Sequence, residues 1–250
     1  MTITHAHPAQ DKPVASRRAG LIERTITRLW MRPARIVGIT RLSEKFRLFD
    51  FQGDALKGSA WSLGDKLQMK LDEGLAARTY TPIEWNQQTG ATRFLAYCHG
   101  IGPGSVWAER AQVGDERQFF GPRASLDMSE LKSPTVLFGD ETSFGLALAL
   151  QRTGKEGHFI FEVNDRDESA SVLEEVGLRA LLVPRHPDEA HLREVSEAIR
   201  AFGQPSESNF VVTGKASSIQ HVSRVLKTHG VEKSRLRAKV YWATGKTGLD

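Results

Sequence analysis

Residues 78–81 read Arg-Thr-Tyr-Thr, and Pro82 follows at once. Side chains alternate on an extended segment, so Arg78 and Tyr80 are expected on one face and Thr79 and Thr81 on the other. A guanidinium, a flat phenol and small hydroxyls on adjacent pleats suit a ligand that is planar at one end and anionic at another. Further along, His99-Gly100-Ile101-Gly102-Pro103-Gly104-Ser105 places three glycines at the start of an expected helix. Glycines let the backbone approach a ligand, and the free amide groups and dipole of a helix start favour an anion such as a diphosphate. Ser105 is the expected N-cap there. Two more strand-to-helix turns follow. In Gly139-Asp140-Glu141-Thr142-Ser143, Asp140 or Thr142 can cap the helix; in Thr213-Gly214-Lys215-Ala216, Lys215 adds attraction for a phosphate.

The elements that must hold these residues change style partway along the chain. The first half offers short runs rich in aromatic and branched residues: 34–42, 45–53, 66–72, 77–82, 92–100 and 116–123. Turn signals such as Gly64-Asp65, Asn86-Gln87-Gln88-Thr89-Gly90 and Gly114-Asp115 separate them. Six short antiparallel strands of this kind predict a small barrel or sandwich, interrupted by one helix after Pro103. The second half alternates strands with helices, which predicts βαβ units and a parallel sheet. The junction is expected near residues 131–134. Residues 1–20 are polar, poor in large hydrophobes and without an apolar signal core; they are expected to be a mobile tail, with His5 and His7 solvated rather than metal-bound.

Of the 250 residues, 40% are hydrophobic and 26% charged, an ordinary soluble composition, and no apolar run approaches the ~20 residues of a membrane span. The single cysteine, Cys98, allows no internal disulfide and no cysteine-rich metal site, which points to a reducing compartment and a packing role. A cytoplasmic location follows as the expectation, without membrane insertion, as a monomer or weak dimer. The net charge of +4 suits an anionic ligand. Its cations are dispersed and not interleaved with aromatics, so nucleic acid is not the expected partner.

Taken in order, Arg78-Thr79-Tyr80-Thr81, His99-Gly100-x-Gly102-Pro103-x-Ser105-x-Trp107-Ala108, Gly121-Pro122-Arg123, Gly139-Asp140-Glu141-Thr142 and Tyr241-Trp242 resemble the siderophore-interacting protein family of the ferredoxin–NADP reductase superfamily. The resemblance runs from about residue 30 to 246. It implies a six-stranded FAD-binding β-barrel over residues 21–131 and a nicotinamide-binding α/β domain over 132–250. By position, Tyr80 would pack on the isoalloxazine and Thr81 would reach its N5 region. Arg78 would pair with the diphosphate, cradled by the Gly102–Ser105 backbone with Gly104 and His99 alongside. Asp140, Thr142, Gly214 and Lys215 would edge the nicotinamide site, with NADPH favoured over NADH; Arg166 and Lys215 are the candidate phosphate readers. No metal is expected to be resident.

The implied reaction passes electrons from NAD(P)H through FAD to a ferric siderophore or other ferric chelate, releasing iron(II). Two alternatives remain: a reductase feeding a partner oxygenase or a quinone, and a siderophore- or nucleotide-binding protein without catalysis. The family usually places arginines after the Tyr-Trp pair, where this chain has Ala243 and Thr244. Arg123, Lys246 and Arg47, with Lys45 near it, are therefore the candidate cations for an anionic chelate.

Overall fold

A computed structural model describes residues 31–71, 77–131 and 134–245. The tail expected over residues 1–20, and Lys246, lie outside the described residues. Seven strands form an antiparallel sheet: β1 (Arg32–Arg41), β2 (Phe46–Gln52), β3 (Lys66–Lys70), β4 (Ala77–Tyr80), β5 (Glu84–Asn86), β6 (Ala91–Tyr97) and β7 (Glu116–Arg123), in the order β4-β3-β7-β1-β2-β6-β5. The sheet is barrel-like but not closed: among the described residues, β4 and β5 are its unpaired edges. The additional strand is β5. Its three residues follow Pro82 too closely to show a period of their own, and pairing with β6 creates it.

Alternation gives this sheet one fully buried face and one that is only partly covered. In β6, Thr92, Phe94 and Ala96 are buried while their neighbours are only half-buried. Phe49, Phe51, Phe94 and Phe119 meet inside, joined by Trp107, whose ring lies 4.8 Å from Phe49. Trp107 belongs to helix α1 (Pro103–Arg110), which enters the half as expected.

The second half is a parallel sheet of β8 (Thr135–Gly139), β9 (Gly157–Val163), β10 (Leu181–Pro184), β11 (Asn209–Lys215) and β12 (Leu236–Trp242), in the order β10-β9-β8-β11-β12. Its helices are α2 (Phe144–Gln151), α3 (Arg166–Glu175), α4 (Leu192–Phe202) and α5 (Ala216–Thr228). Strand order reverses between β8 and β11, which opens a crevice at their carboxyl ends where ligands of such sheets bind. Both faces of the sheet are covered, so β8 is buried at every position instead of alternating.

Helix α2 is apolar all round because it has no solvent face. Every residue from Phe144 to Leu150 is buried. Phe144 stacks on Phe46 of β2 at 5.4 Å and meets Phe161 of β9 edge-on at 4.7 Å, so one core runs through both sheets. A polar clamp adds to it. Glu168 of α3 accepts hydrogen bonds from the Ser43 hydroxyl at 2.7 Å and the Lys45 amide at 3.0 Å, and it pairs with the Lys45 ammonium at 3.2 Å. Lys45 thus serves this clamp, not the ligand mouth suggested by its place in the sequence. No helix among the described residues is long and apolar enough to cross a membrane.

Candidate functional site

A cavity of about 330 Å3 lies where the two sheets meet. Strand β4 and the residue after it contribute Arg78, Thr79, Tyr80 and Thr81; β6 and the turn beyond it contribute Leu95, Tyr97 and His99. Gly102, Gly104 and Ser105 come from the start of α1, Thr142 from the turn after β8, and Lys239, Tyr241 and Trp242 from β12. Eight residues expected from the sequence to hold a cofactor therefore line one cavity, Arg78, Tyr80, Thr81, His99, Gly102, Gly104, Ser105 and Thr142, together with Thr79, Tyr241 and Trp242 of the quoted motifs.

Tyr80 is a rigid platform. Its ring stacks on Phe94 at 4.2 Å and 18°, which fixes the plane of the phenol, and burial pushes the hydroxyl's pKa up. Arg78 lies along the helix start: a Cβ on Gly104 would stand 3.1 Å from Arg78 Cγ and 3.2 Å from Nε. Gly104 thus makes room for the guanidinium stem. The N-cap of α1 is Gly102, not Ser105, and among the described residues no side chain caps it. The Ser105 hydroxyl instead donates to the His99 carbonyl at 3.0 Å and ties the glycine turn closed. A first helical turn without a side-chain cap leaves amide groups for a ligand. With a guanidinium beside that turn and an aromatic plane in the same cavity, these residues fit a flavin with a diphosphate tail. Burial also holds the His99 imidazole below its ordinary value, so it is neutral near pH 7.

The wall from the second half is pinned by Asp140. This carboxyl group is fully buried and accepts from the Thr142 amide at 2.9 Å, the Thr142 hydroxyl and the Trp242 indole at 2.6 Å. Burial pushes its pKa up to about 6. Asp140 does not line the cavity; it positions Thr142 and Trp242, which do. Gly214 belongs to the same support, with a φ of 106°, and a Cβ there would stand 2.5 Å from Asp140 Oδ2. The Tyr241 phenol, hydrogen-bonded to Thr81 and Thr213, is pushed up to about 12 by burial. That bond to Thr81 joins β12 to the strand end of the first sheet.

The cations expected for the chelate, and those expected for the nucleotide phosphate, are placed differently. Arg47 is 9% exposed, and its guanidinium lies 3.2 Å from Cys98 Sγ and 3.3 Å from the Glu44 carbonyl. It is a packing cation and not a cavity residue, because β2 turns its side chain inward. Arg123 is half-buried, bonded to Gln68 and stacked 4.7 Å from the Phe120 ring. It pairs in register with Lys66, which does line the cavity. The Lys215 ammonium is held by Glu189 at 2.7 Å. Arg166 is exposed on α3 and does not reach the cavity.

The cations that do line it are Lys66, Arg78 and Lys239, and no carboxylate is among the described lining residues. Lys66 and Lys239 went unread in the sequence, although a signal existed for one: Lys239 stands two residues before Tyr241, hence on the same face of β12. Beside the cavity, Tyr97 donates to Glu141 at 3.3 Å, and Glu141 pairs with Arg185 at 3.2 Å, whose guanidinium lies 5.8 Å from the Trp242 ring centre. This link, too, spans both sheets and was missed, since nothing in local spacing relates residues so far apart in the chain.

Similarity to known proteins agrees with the geometry. The model of the siderophore-interacting FAD-binding domain matches residues 67–126, and that of the siderophore-interacting protein matches 133–245. A comparison with curated protein sequences gave no match. Among solved structures, the siderophore-interacting protein SipS from Aeromonas hydrophila is 19% identical, with a TM-score of 0.72, over 87% of this chain and 94% of that one. A siderophore utilization protein from T. fusca is 22% identical, with a TM-score of 0.73, over 88% of this chain and 95% of its own. The flavohem-like FAD/NAD-binding domain of nitric oxide dioxygenase from Vibrio cholerae O1 biovar El Tor shares the fold at 15% identity and a TM-score of 0.65, over 85% and 98%. Matched by two adjoining models that run through both sheets, and carrying the cavity between them, the chain belongs to the siderophore-interacting protein family and has its FAD-binding domain.

Proposed function

We propose that the chain is a flavin-dependent reductase that takes electrons from NAD(P)H and delivers them to a ferric siderophore or a similar anionic ferric chelate. The observation that carries this reading is the composition of the cavity: an aromatic platform, an uncapped helix start beside Arg78, and three cations without a carboxylate among the described lining residues. FAD supplies the exchange between a donor that gives two electrons as a hydride and a ferric ion that takes one. The protein's own residues bind, orient and shield. Arg78 and the first turn of α1 hold the diphosphate; Tyr80 sets the ring plane; Thr81, fixed by Tyr241, offers a hydroxyl at the edge. Tyr241 and Trp242 cover the cavity from the nicotinamide side and exclude water. Lys66 and Lys239, with Arg123 behind them, draw the chelate in. No acid, base or nucleophile from a side chain is required for a hydride to pass. One hydride equivalent serves two ferric ions, and the weaker hold of hard oxygen ligands on iron(II) then releases the metal.

The test is anaerobic. The FAD-loaded protein is reduced with NADH or NADPH and mixed with ferric chelates of graded charge, with a quinone and with a protein acceptor. Prompt reoxidation by anionic ferric chelates, with iron(II) trapped by a ferrous indicator, is the expected result. Reoxidation by the quinone or protein acceptor alone would overturn the chelate assignment and favour the partner-reductase alternative.

A further inference from the structure

The carboxyl edge of the parallel sheet continues beyond the cavity. Trp242, at the cavity wall, is paired in register with Lys215, the last residue of β11. Gly214 lies against Asp140 across the crevice between β8 and β11. Lys215 in turn meets Glu189, from the turn that follows β10. Among the described residues, Glu189 is the only one other than glycine with a positive φ, 61°. A long side chain rarely adopts that backbone, and holding it there costs about 1 kcal/mol or more unless surrounding contacts enforce it; such residues cluster at ligand sites.

The side chain explains what the backbone is for. One carboxylate oxygen of Glu189 accepts from the Lys215 ammonium at 2.7 Å and from the Ser217 hydroxyl at 2.6 Å. These two residues flank Ala216, the first residue of α5, and among the described residues no side chain caps that helix. An ammonium, a hydroxyl and an uncapped helix start are the groups that would receive a phosphate. Here a carboxylate of the chain itself takes them. Both bonds favour its ionised form and hold its pKa below the ordinary value, so it carries its charge at neutral pH.

We propose that Glu189 selects the electron donor: its carboxylate occupies the anion position that the 2′-phosphate of NADPH would need, so the site takes NADH and turns NADPH away. This rests on the reading of the crevice as the nicotinamide nucleotide site. A ribose diol can donate to a carboxylate, as acidic residues do for NAD in doubly wound sheets. A phosphate meets a like charge, and Lys215, which could have offset it, is already paired. Selection of this kind is a repulsive element, not merely a missing contact.

The experiment compares the unaltered chain with E189Q, E189G and the double variant E189Q/K215Q. Flavin reduction by NADH and by NADPH is followed under anaerobic conditions, and binding of 5′-AMP and 2′,5′-ADP is measured by calorimetry. The unaltered chain should prefer NADH. Removing one like charge should raise kcat/KM for NADPH about tenfold, the equivalent of about 1.4 kcal/mol, and lower that for NADH by much less. E189G should shift the ratio in the same way while also raising thermal stability, since it relaxes the backbone. K215Q in the E189Q background should cancel the gain, because the freed ammonium is what reads the phosphate.

A preference for NADPH in the unaltered chain, or an unchanged ratio in E189Q, overturns the assignment. If no variant's flavin is reduced by either donor, the reductase reading fails by itself. Calorimetry then still decides Glu189: a gain of 2′,5′-ADP binding in E189Q supports it, and no binding by any variant overturns it.

Discussion

At the scale of single residues, two side chains have separable consequences. Arg78 is placed along the Gly104 backbone and donates to the Ala77 carbonyl at 2.8 Å. If it pairs with the diphosphate, Arg78→Ala should weaken FAD binding by about 1.5–3 kcal/mol, the range for hydrogen bonds to charged groups. Titration of the apoprotein with FAD checks this; equal affinities would take Arg78 out of the phosphate site. Asp140 concerns stability. Its folded pKa of about 6 exceeds the ordinary 3.8, so between those values the folded chain binds more protons than the unfolded chain. Its contribution to stability is therefore present at low pH and is lost as pH rises through about 6, by roughly 2–3 kcal/mol in all. Asp140→Asn carries no such penalty. The stability of this variant relative to the unaltered chain should rise between pH 4 and pH 7 in urea unfolding, and a pH-independent difference would refute the buried-charge account.

At the scale of elements, local periodicity was informative and tertiary placement was not. The alternation in 91–97 and the aromatic runs around it give the antiparallel sheet directly, and the strand–helix alternation after residue 134 gives the parallel one. Glycine spacing exposes the turn before α1, because only a ligand-facing or tight backbone needs so many glycines in so few residues. Three things were hidden. Strand β5 exists through its pairing with β6, not through propensity. Ser105 has the residue type of a cap but sits inside the first turn, where its hydroxyl finds the His99 carbonyl instead. Arg47 reads as a surface cation on an alternating strand, yet it is buried beside Cys98. In each case the decisive contact is distant or depends on which face is covered. Gly214 shows how an element-level constraint can be measured. It combines a φ of 106° with a Cβ position 2.5 Å from Asp140, whereas Gly154 has a φ of 71° with nothing within 4 Å. Gly154→Ala should cost only the backbone strain, about 1 kcal/mol, and Gly214→Ala clearly more, because a clash is added. Comparable losses in chemical denaturation would mean that the β11–α5 turn moves freely away from Asp140.

At the scale of the whole molecule, neither sheet makes the site alone. Arg78, Tyr80 and Thr81 come from one sheet, Lys239, Tyr241 and Trp242 from the other, and α2 with the Phe46–Phe144 stack holds the two in one core. Charge follows the same division between local and global. A net charge of +4 over 250 residues gives only weak long-range attraction for an anion. If the flavin sits in the cavity with Arg78 on its diphosphate, Lys66 and Lys239, in a lining with no carboxylate among the described residues, concentrate that attraction at its edge. Two substitutions that remove the same charge should therefore act differently. Lys239→Gln should slow flavin reoxidation by an anionic ferric chelate roughly 3–10-fold at low ionic strength, in proportion to the chelate's charge. Lys227→Gln, on the exposed last turn of α5, lowers the net charge equally and should have little effect. The screening length falls to about 3 Å in 1 M salt, so the deficit of the Lys239 variant should largely disappear there. Stopped-flow reoxidation across a salt series separates the cases. Equal slowing by both substitutions would assign the attraction to overall charge, and a Lys239 deficit that persists in high salt would make that side chain a packing residue of the cavity wall.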